Sequence, residues 1–390
     1  MQLKKIISVK SLGKRKTLDL EVDHKDHNFY AEDLVSSNSH SISYATLAVW
    51  TTYMKFKYTL PFLIALLRNS KYEQDPYEII DKVSKEASKF GIKILPPDLA
   101  RSSMDFTIDG DNIRYGLNAI KGISEKSLES IIEFRGAKTT NKFDVFLAAK
   151  SAKINIGILS SLIQAGALSS INDERARMVY EAQVFNIFTD REKRNFLNLG
   201  EKYNYDVFSI WSNEVANGKN VAADGKVLVS DRRKQTIKSK TEQYSLIFQK
   251  NKQHKKFANW FFERKLLGYS YSSRLKDLYG KSYGYIGIEE FVSEPEGIQG
   301  KIIGIVKECR VAKSRNSGKK YCKFIVSDEK AEINCFIWEA LLDELSEKDS
   351  IPNKENIVSV RVRKMDGNGC SVNQLTTLDE QIYMKLSDLR

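Results

Sequence analysis

The chain has little cysteine, and none of it is paired in sequence. Its four cysteines, Cys309, Cys322, Cys335 and Cys370, all fall in the last quarter of the 390 residues, and no two form a Cys-x-x-Cys pair. Thiols in strand cores, kept reduced in the cytosol, are the simplest account of that pattern. The opening MQLKKIISVK has no apolar core of signal-peptide length, so a cytoplasmic location is expected. Long apolar runs are missing as well. The most hydrophobic stretch, from Tyr44 to Leu67, carries Lys55, Lys57 and Pro61, which argues against a membrane span and against a membrane partner.

Positive charge is abundant. Lys and Arg number 62 against 50 Asp and Glu, a formal charge of +12. An excess of that size points to an acidic partner, most often nucleic acid. A generally basic soluble protein is the plainer alternative. Much of the excess sits in one place: residues 230–265 hold 11 Lys/Arg and 3 Asp/Glu. A chain of this length has room for two to four domains.

The pattern changes along the chain. Residues 3–35 read as short strands rich in β-branched and aromatic residues. Residues 41–68 read as a helix interrupted at Pro61 and followed by LPFLIALLRN. DPYEIIDKVSKEASKFG carries an Asp-Pro start signal and a Gly91 stop. ILPPDLARSS is an extended connector. Residues 115–170 alternate short helices with glycine turns, 172–200 read as one amphipathic helix, and 212–245 as a polar linker. The last hundred residues give three strands, a short helix and two strands around a DGNG turn. That order belongs to an OB-type barrel.

The run DHNFYAEDLVSSNS carries the most specific chemistry. His27-Asn28-Phe29 precedes Asn38 by a fixed interval, and a hydroxyl residue, Ser39, follows. With Asp19 and the lead-in strands, residues 3–39 resemble the C-terminal end of an intein. A small β-rich extension with a surface histidine is the alternative. The resemblance implies that Ser39 accepts the upstream segment as an ester and that the Asn38 amide cyclises on its own carbonyl, cleaving Asn38–Ser39. Both steps need proton management near neutral pH, a role suited to the imidazole of His27. Asp19 would orient His27 or help to deprotonate Ser39. Ser37 stands where most inteins carry His, as in the split inteins of cyanobacterial polymerase III alpha subunits. No N-terminal intein half is visible, so splicing is expected to need a separate N-intein partner.

Beyond the junction, SHSISYATLAVWTTYMKFKYTLPFLIALL resembles the fingers segment of the bacterial DNA polymerase III alpha family. Ser39-His40 are intact, Met54-Lys55 stand for Leu-Lys, and Thr59 replaces a Pro. GIKILPPDLARSSMDF and IRYGLNAIKGISEKSLESIIEFR continue that pattern. The second is identified as a helix-hairpin-helix. Its Gly122 permits a tight turn whose N–H groups can approach a DNA phosphate, with Lys121 and Lys126 beside it. A plain helical hairpin is the alternative for that segment, and SLIQAGAL looks like a second, degenerate unit. Gln243, Leu246 and Phe248 fit a sliding-clamp-binding peptide, or else a buried turn. FFERKLLGYSYSS resembles the family's Glu-x-x-x-Leu-Gly segment. In the barrel, Arg310, Lys313, Arg315, Lys319 and Lys320 interleave with Tyr321, Phe324, Phe336 and Trp338, suiting single-stranded DNA, although about half of those aromatics should be core.

The expectation is therefore a multidomain α+β chain. Residues 1–38 form an all-β split-intein fragment, 39–92 the end of the fingers and 93–211 a helix-hairpin-helix region. Residues 212–290 form a basic linker with the clamp motif, and 291–390 an OB-type barrel. The resemblance implies the C-terminal half of a replicative DNA polymerase, active as a nucleotidyltransferase only after trans-splicing. Its partners would be the N-terminal fragment, primer-template duplex, single-stranded template and a sliding clamp. No polymerase carboxylates, resident metal site or cofactor are expected in this piece, and Mg would sit in the partner's palm. The clamp-loader-binding domain is not expected either. A non-catalytic, clamp-tethered DNA-binding protein with a relic intein start is the alternative.

Overall fold

The structure is a computed structural model that describes residues 28–31, 34–37, 39–222, 224–252, 254–279, 281–314 and 317–378. The chain divides into two compact units, residues 1–62 and 63–390. In the first, β1 (Asn28–Ala31) and β2 (Leu34–Ser37) pair antiparallel, with Asn28 opposite Ser37. Helix α1 (Ser39–Lys57) begins at the expected junction residue. Asp19, His27 and Asn38 lie outside the described residues. Leu47, Val49, Trp50 and Tyr53 of α1 are each more than half exposed.

Helix α2 (Thr59–Asn69) starts before Pro61, which occupies its third position. The first-turn N–H groups have no helical partner, so a proline there removes nothing. Helix α3 (Pro76–Lys89) forms where the Asp-Pro signal places it: the Asp75 carboxylate accepts from the N–H groups of Tyr77 and Glu78. A small sheet follows, with β3 (Ile94–Leu95) parallel and β4 (Thr107–Asp109) antiparallel to β5 (Asn112–Arg114).

The helical body contains α4 (Leu128–Gly136), α5 (Lys142–Ser151) and α6 (Ile156–Ala165), then α7 (Arg175–Ile187) and α8 (Asp190–Asn198). The single helix expected over 172–200 is therefore two. Thr189 breaks it: its hydroxyl accepts from Glu192 N–H, and the Glu192 carboxylate accepts from Thr189 N–H. This reciprocal cap starts a new helix.

The expected linker over 212–290 is also mostly helical. After α9 (Val207–Ile210), α10 (Asp231–Asn251) and α11 (Lys255–Leu267) occupy it, with α12 (Leu275–Leu278) behind them. Ile237 and Thr241 of α10 are buried, one helical turn apart, and Phe248 packs on Tyr180 and Phe208. A narrow apolar stripe is enough to seat this helix while its lysines face solvent. Part of the positive charge concentrated here is neutralised internally: Arg233 pairs with Glu192, Lys255 with Glu174 and Arg264 with Asp81.

A short helix α13 (Ile288–Val292) leads into the barrel: β6 (Gln299–Lys313), β7 (Lys320–Ser327), β8 (Glu332–Trp338), α14 (Glu339–Glu347), β9 (Ile357–Lys364) and β10 (Gly369–Thr377). The five strands close in the order β10-β8-β7-β6-β9. β10 runs parallel to β8 and antiparallel to β9. This is the OB arrangement, with the helix between the third and fourth strands. Val306, Phe324, Val326, Ile333, Ile337, Val358 and Val360 fill the interior. The cysteines sit in this barrel as free thiols, with Cys322, Cys335 and Cys370 buried.

Candidate nucleic-acid interface

Strand alternation decides which barrel aromatics are core and which are surface. On β7, Cys322, Phe324 and Val326 point inward, while Tyr321 and Lys323 point outward; on β8, Cys335 and Ile337 point in, while Phe336 and Trp338 point out. Phe324 is thus a core residue. Cross-strand register assembles the outward set: Arg310 lies opposite Lys323, Lys323 opposite Phe336, and Tyr321 opposite Trp338. The rings of Phe336 and Trp338 are 5.9 Å apart and 12° from parallel, and Tyr321 lies 6.2 Å from Trp338. The Trp338 indole N–H donates to Ser371 Oγ at 2.9 Å, which fixes the ring although it is 47% exposed. Lys313 and Lys320 are paired at the end of the same ladder, and Lys319 is exposed in the loop between them. Arg315 lies outside the described residues. The result is a row of aromatic faces edged by cations. Lys323, at its centre, was legible in the alternation of KKYCKFIV but escaped the motif reading.

The first hairpin turns at Gly122, whose φ of +92° is left-handed and whose absent Cβ leaves room for Ser161 Oγ, 2.8 Å from where that atom would stand. The expectation that its N–H groups are offered to phosphate needs correction at Lys121, whose N–H donates to Leu266 O at 3.0 Å. The Lys121 and Lys126 side chains remain exposed, with the Lys121 ammonium 5.4 Å from the Tyr77 ring centre. The second, degenerate hairpin is closed by protein. At Gly166 (φ +86°), Tyr271 and Arg175 fill the space a phosphate would need: Tyr271 donates to Ala165 O, and Arg175 donates to Gln164 O and Glu263. Glu263 also accepts from Ser270, Tyr271 and Ser272. This explains the glutamate of the Glu-x-x-x-Leu-Gly segment: it ties α11 to the loop that plugs the second hairpin.

Barrel and helical body are joined through a buried ion cluster. Asp81 of α3 receives Arg264 at 2.8 Å, Lys85 at 2.9 Å and Lys307 at 3.0 Å. Lys307 is the extra residue of a bulge in β6, between Val306 and Glu308, and the bulge aims its side chain off the ladder. Burial alone would raise the Asp81 pKa, but Arg264, Lys85 and Lys307 outweigh it and hold the carboxyl well below its usual range. Nearby, Trp260 donates to Glu329 at 2.7 Å, as does the N–H of Leu275 at 3.0 Å. Burial pushes the Glu329 carboxyl up.

A helix-hairpin-helix motif family matches residues 91–178, the segment containing both hairpins. The DNA polymerase III alpha subunit of Aquifex aeolicus is 26% identical over 318 residues, 80% of this chain and 22% of that protein. That of Thermus aquaticus is 33% identical over 145 residues, 37% of this chain and 12% of that protein. The chain is homologous to the C-terminal region of DNA polymerase III alpha. The Escherichia coli K12 subunit is 32% identical over 146 residues, again 12% of its length. The chain therefore spans about a fifth or less of the curated relatives it matches. A Saccharomyces cerevisiae mitochondrial single-stranded DNA-binding protein overlaps 22% of the chain and 97% of its own, at 16% identity and a TM-score of 0.19, too low a score to bear on function.

In this polymerase-homologous chain, the three residues expected to form a clamp peptide lie on α10 and not in a free segment. Gln243 and Leu246 face outward, while the Phe248 ring stacks 5.2 Å from Phe208 and 5.7 Å from Tyr180. Among the described residues, no group of three or more His, Cys, Asp or Glu is placed to hold a metal, and no helix is long and apolar enough to cross a membrane.

Proposed function

We propose that this chain is the C-terminal portion of a replicative DNA polymerase alpha subunit. It would be joined to a separate N-terminal fragment by trans-splicing at Asn38–Ser39, and it would grip single-stranded template during synthesis. The observation that carries the DNA-binding part is the outward row of Arg310, Lys323, Tyr321, Phe336 and Trp338 on the barrel. Bases can stack on fixed aromatic faces while cations follow the backbone. Exposed apolar residues on α1 support the partnered part. Leu47, Val49 and Trp50 are each more than half exposed shortly after the proposed junction, a cost a soluble helix avoids unless another surface covers it. The catalytic metal ions and carboxylates would come from the partner.

The test is fluorescence anisotropy of a labelled oligothymidine with the full chain across a salt series. Binding of single strands that weakens steeply with salt is expected; no measurable binding at low salt overturns the reading. Clamp tethering through Gln243, Leu246 and Phe248 belongs to the same proposal. It requires Phe248 to leave Tyr180 and Phe208, so α10 must loosen at its end. Leu246→Ala, which removes an exposed side chain, is expected to reduce clamp pull-down at least tenfold without changing the melting temperature. Unchanged capture would assign Leu246 no part in clamp binding.

A further inference from the structure

Where the first hairpin, α11 and the barrel meet, a cavity of about 400 Å³ opens, a size that suits a small ligand or one nucleotide. Its lining is charged and aromatic. Among the carboxylates there, Asp75 caps α3 and Glu78 pairs with Lys82 at 2.7 Å. Two of the cations, Arg264 and Lys307, are engaged by Asp81. What remains is Lys121 from the hairpin, Lys265 from α11 and Lys354 from the loop before β9, with Glu355 also in the lining. These three lysines are exposed and form no ion pair among the described residues. Burial, with Asp75 beside it, pushes the Tyr77 hydroxyl up to about 12, so it stays protonated at neutral pH. Phe261 is 39% exposed in the lining, although a surface helix normally turns such a ring inward.

Three ammonium groups from distant segments, none in an ion pair among the described residues and one of them over the Tyr77 ring, line one cavity with an exposed phenyl ring, a chemistry that suits a phosphodiester with a base attached. We propose that this cavity holds one nucleotide of a single DNA strand, the phosphate on Lys121, Lys265 and Lys354 and the base against Phe261. The proposal rests on the DNA-binding reading above and adds a second contact point, remote in sequence from the β7–β8 face. It also gives Lys121 a role that its engaged backbone N–H cannot fill. A free mononucleotide shares this chemistry, and the experiment separates the two.

The full chain is titrated with labelled oligothymidine across a salt series, comparing wild type, Lys265→Gln/Lys354→Gln, Phe261→Ala and Trp338→Ala. Each phosphate contact to a single strand contributes about 0.7 to the slope of log affinity against log salt. The double lysine variant should flatten that slope by about 1.4, and Phe261→Ala should weaken binding about tenfold with little change in slope. Thermal melting of each variant confirms the fold, and since all of these side chains are exposed or at a rim, loss of structure is not expected. If Trp338→Ala weakens binding while the cavity variants match wild type, the cavity proposal fails and the barrel reading stands. If none of the variants changes binding, both fail. Thymidine monophosphate is titrated in parallel, with Trp260 fluorescence as the probe. Saturable nucleotide binding lost in Lys265→Gln/Lys354→Gln, with strand binding unaltered, assigns the cavity to free nucleotides and overturns the strand proposal.

Discussion

Asp81→Asn is expected to destabilise the protein by about 3–5 kcal/mol, the usual cost of removing one partner from a buried ion cluster. The substitution keeps the shape of the side chain but leaves Arg264 and Lys307 facing a neutral amide, while Lys85 keeps Glu332 at 3.1 Å. Uncompensated buried charge is the source of the loss, more than the missing attraction. The pH dependence carries a definite sign. The Asp81 carboxyl is held below its ordinary value of 3.8, so the ionised form is favoured by folding. Its contribution is present above that value and is lost progressively as pH falls below it, towards the lowered value of the folded state. Urea midpoints of wild type and variant should differ widely at pH 7 and still differ near pH 4, and the gap should narrow only as pH is taken well below 3.8. Equal midpoints at pH 7 would show that the cluster does not hold barrel and helical body together.

The second large effect concerns the barrel surface. Trp338→Ala combined with Lys323→Glu should weaken single-stranded DNA binding by about 100-fold at low salt. Loss of one stacking platform accounts for roughly 1–3 kcal/mol, and charge reversal in the middle of the cation row removes a phosphate contact and repels the next. Neither side chain belongs to the barrel core: Trp338 is 47% exposed and Lys323 faces solvent. The melting temperature should therefore be unchanged, and the fall in affinity should appear in oligothymidine anisotropy. Phe324→Ala supplies the contrast. That ring is fully buried, so its removal should cost about 3–5 kcal/mol of stability before it affects DNA.

The barrel was readable from sequence because its signals are local. Alternating strands, a DGNG turn and a short helix between the third and fourth strands define the topology together, and β9 and β10 close around that turn. The helix at 76–89 was equally plain, since Asp75 and Pro76 mark its start in adjacent residues. The break at Thr189 was present as a Thr-x-x-Glu cap and was overlooked within a long amphipathic pattern. Helix α10 was obscured for a physical reason. Only Ile237, Thr241 and Phe248 seat it, and eleven basic residues nearby gave the stretch the composition of a linker. The Asp81–Lys307 contact could not be read at all, since it depends on a bulge that re-aims one side chain. The same holds for Lys121, Lys265 and Lys354, which meet only because the hairpin, α11 and the barrel share one junction. Of Asp19, His27, Asn38 and Ser39, the residues expected to carry splicing, only Ser39 falls within the described residues, as the first residue of α1.

The most direct test of the whole account is intact-mass analysis after co-production with a polymerase III alpha N-terminal fragment that ends in a matching N-intein. The account predicts loss of residues 1–38, a single ligated chain beginning its C-terminal portion at Ser39, and extension of a primed template by that product. Asn38→Ala should abolish the ligated mass. Recovery of the unaltered 390-residue chain beside an unprocessed partner would contradict it, and would leave a DNA-binding protein with a relic intein start.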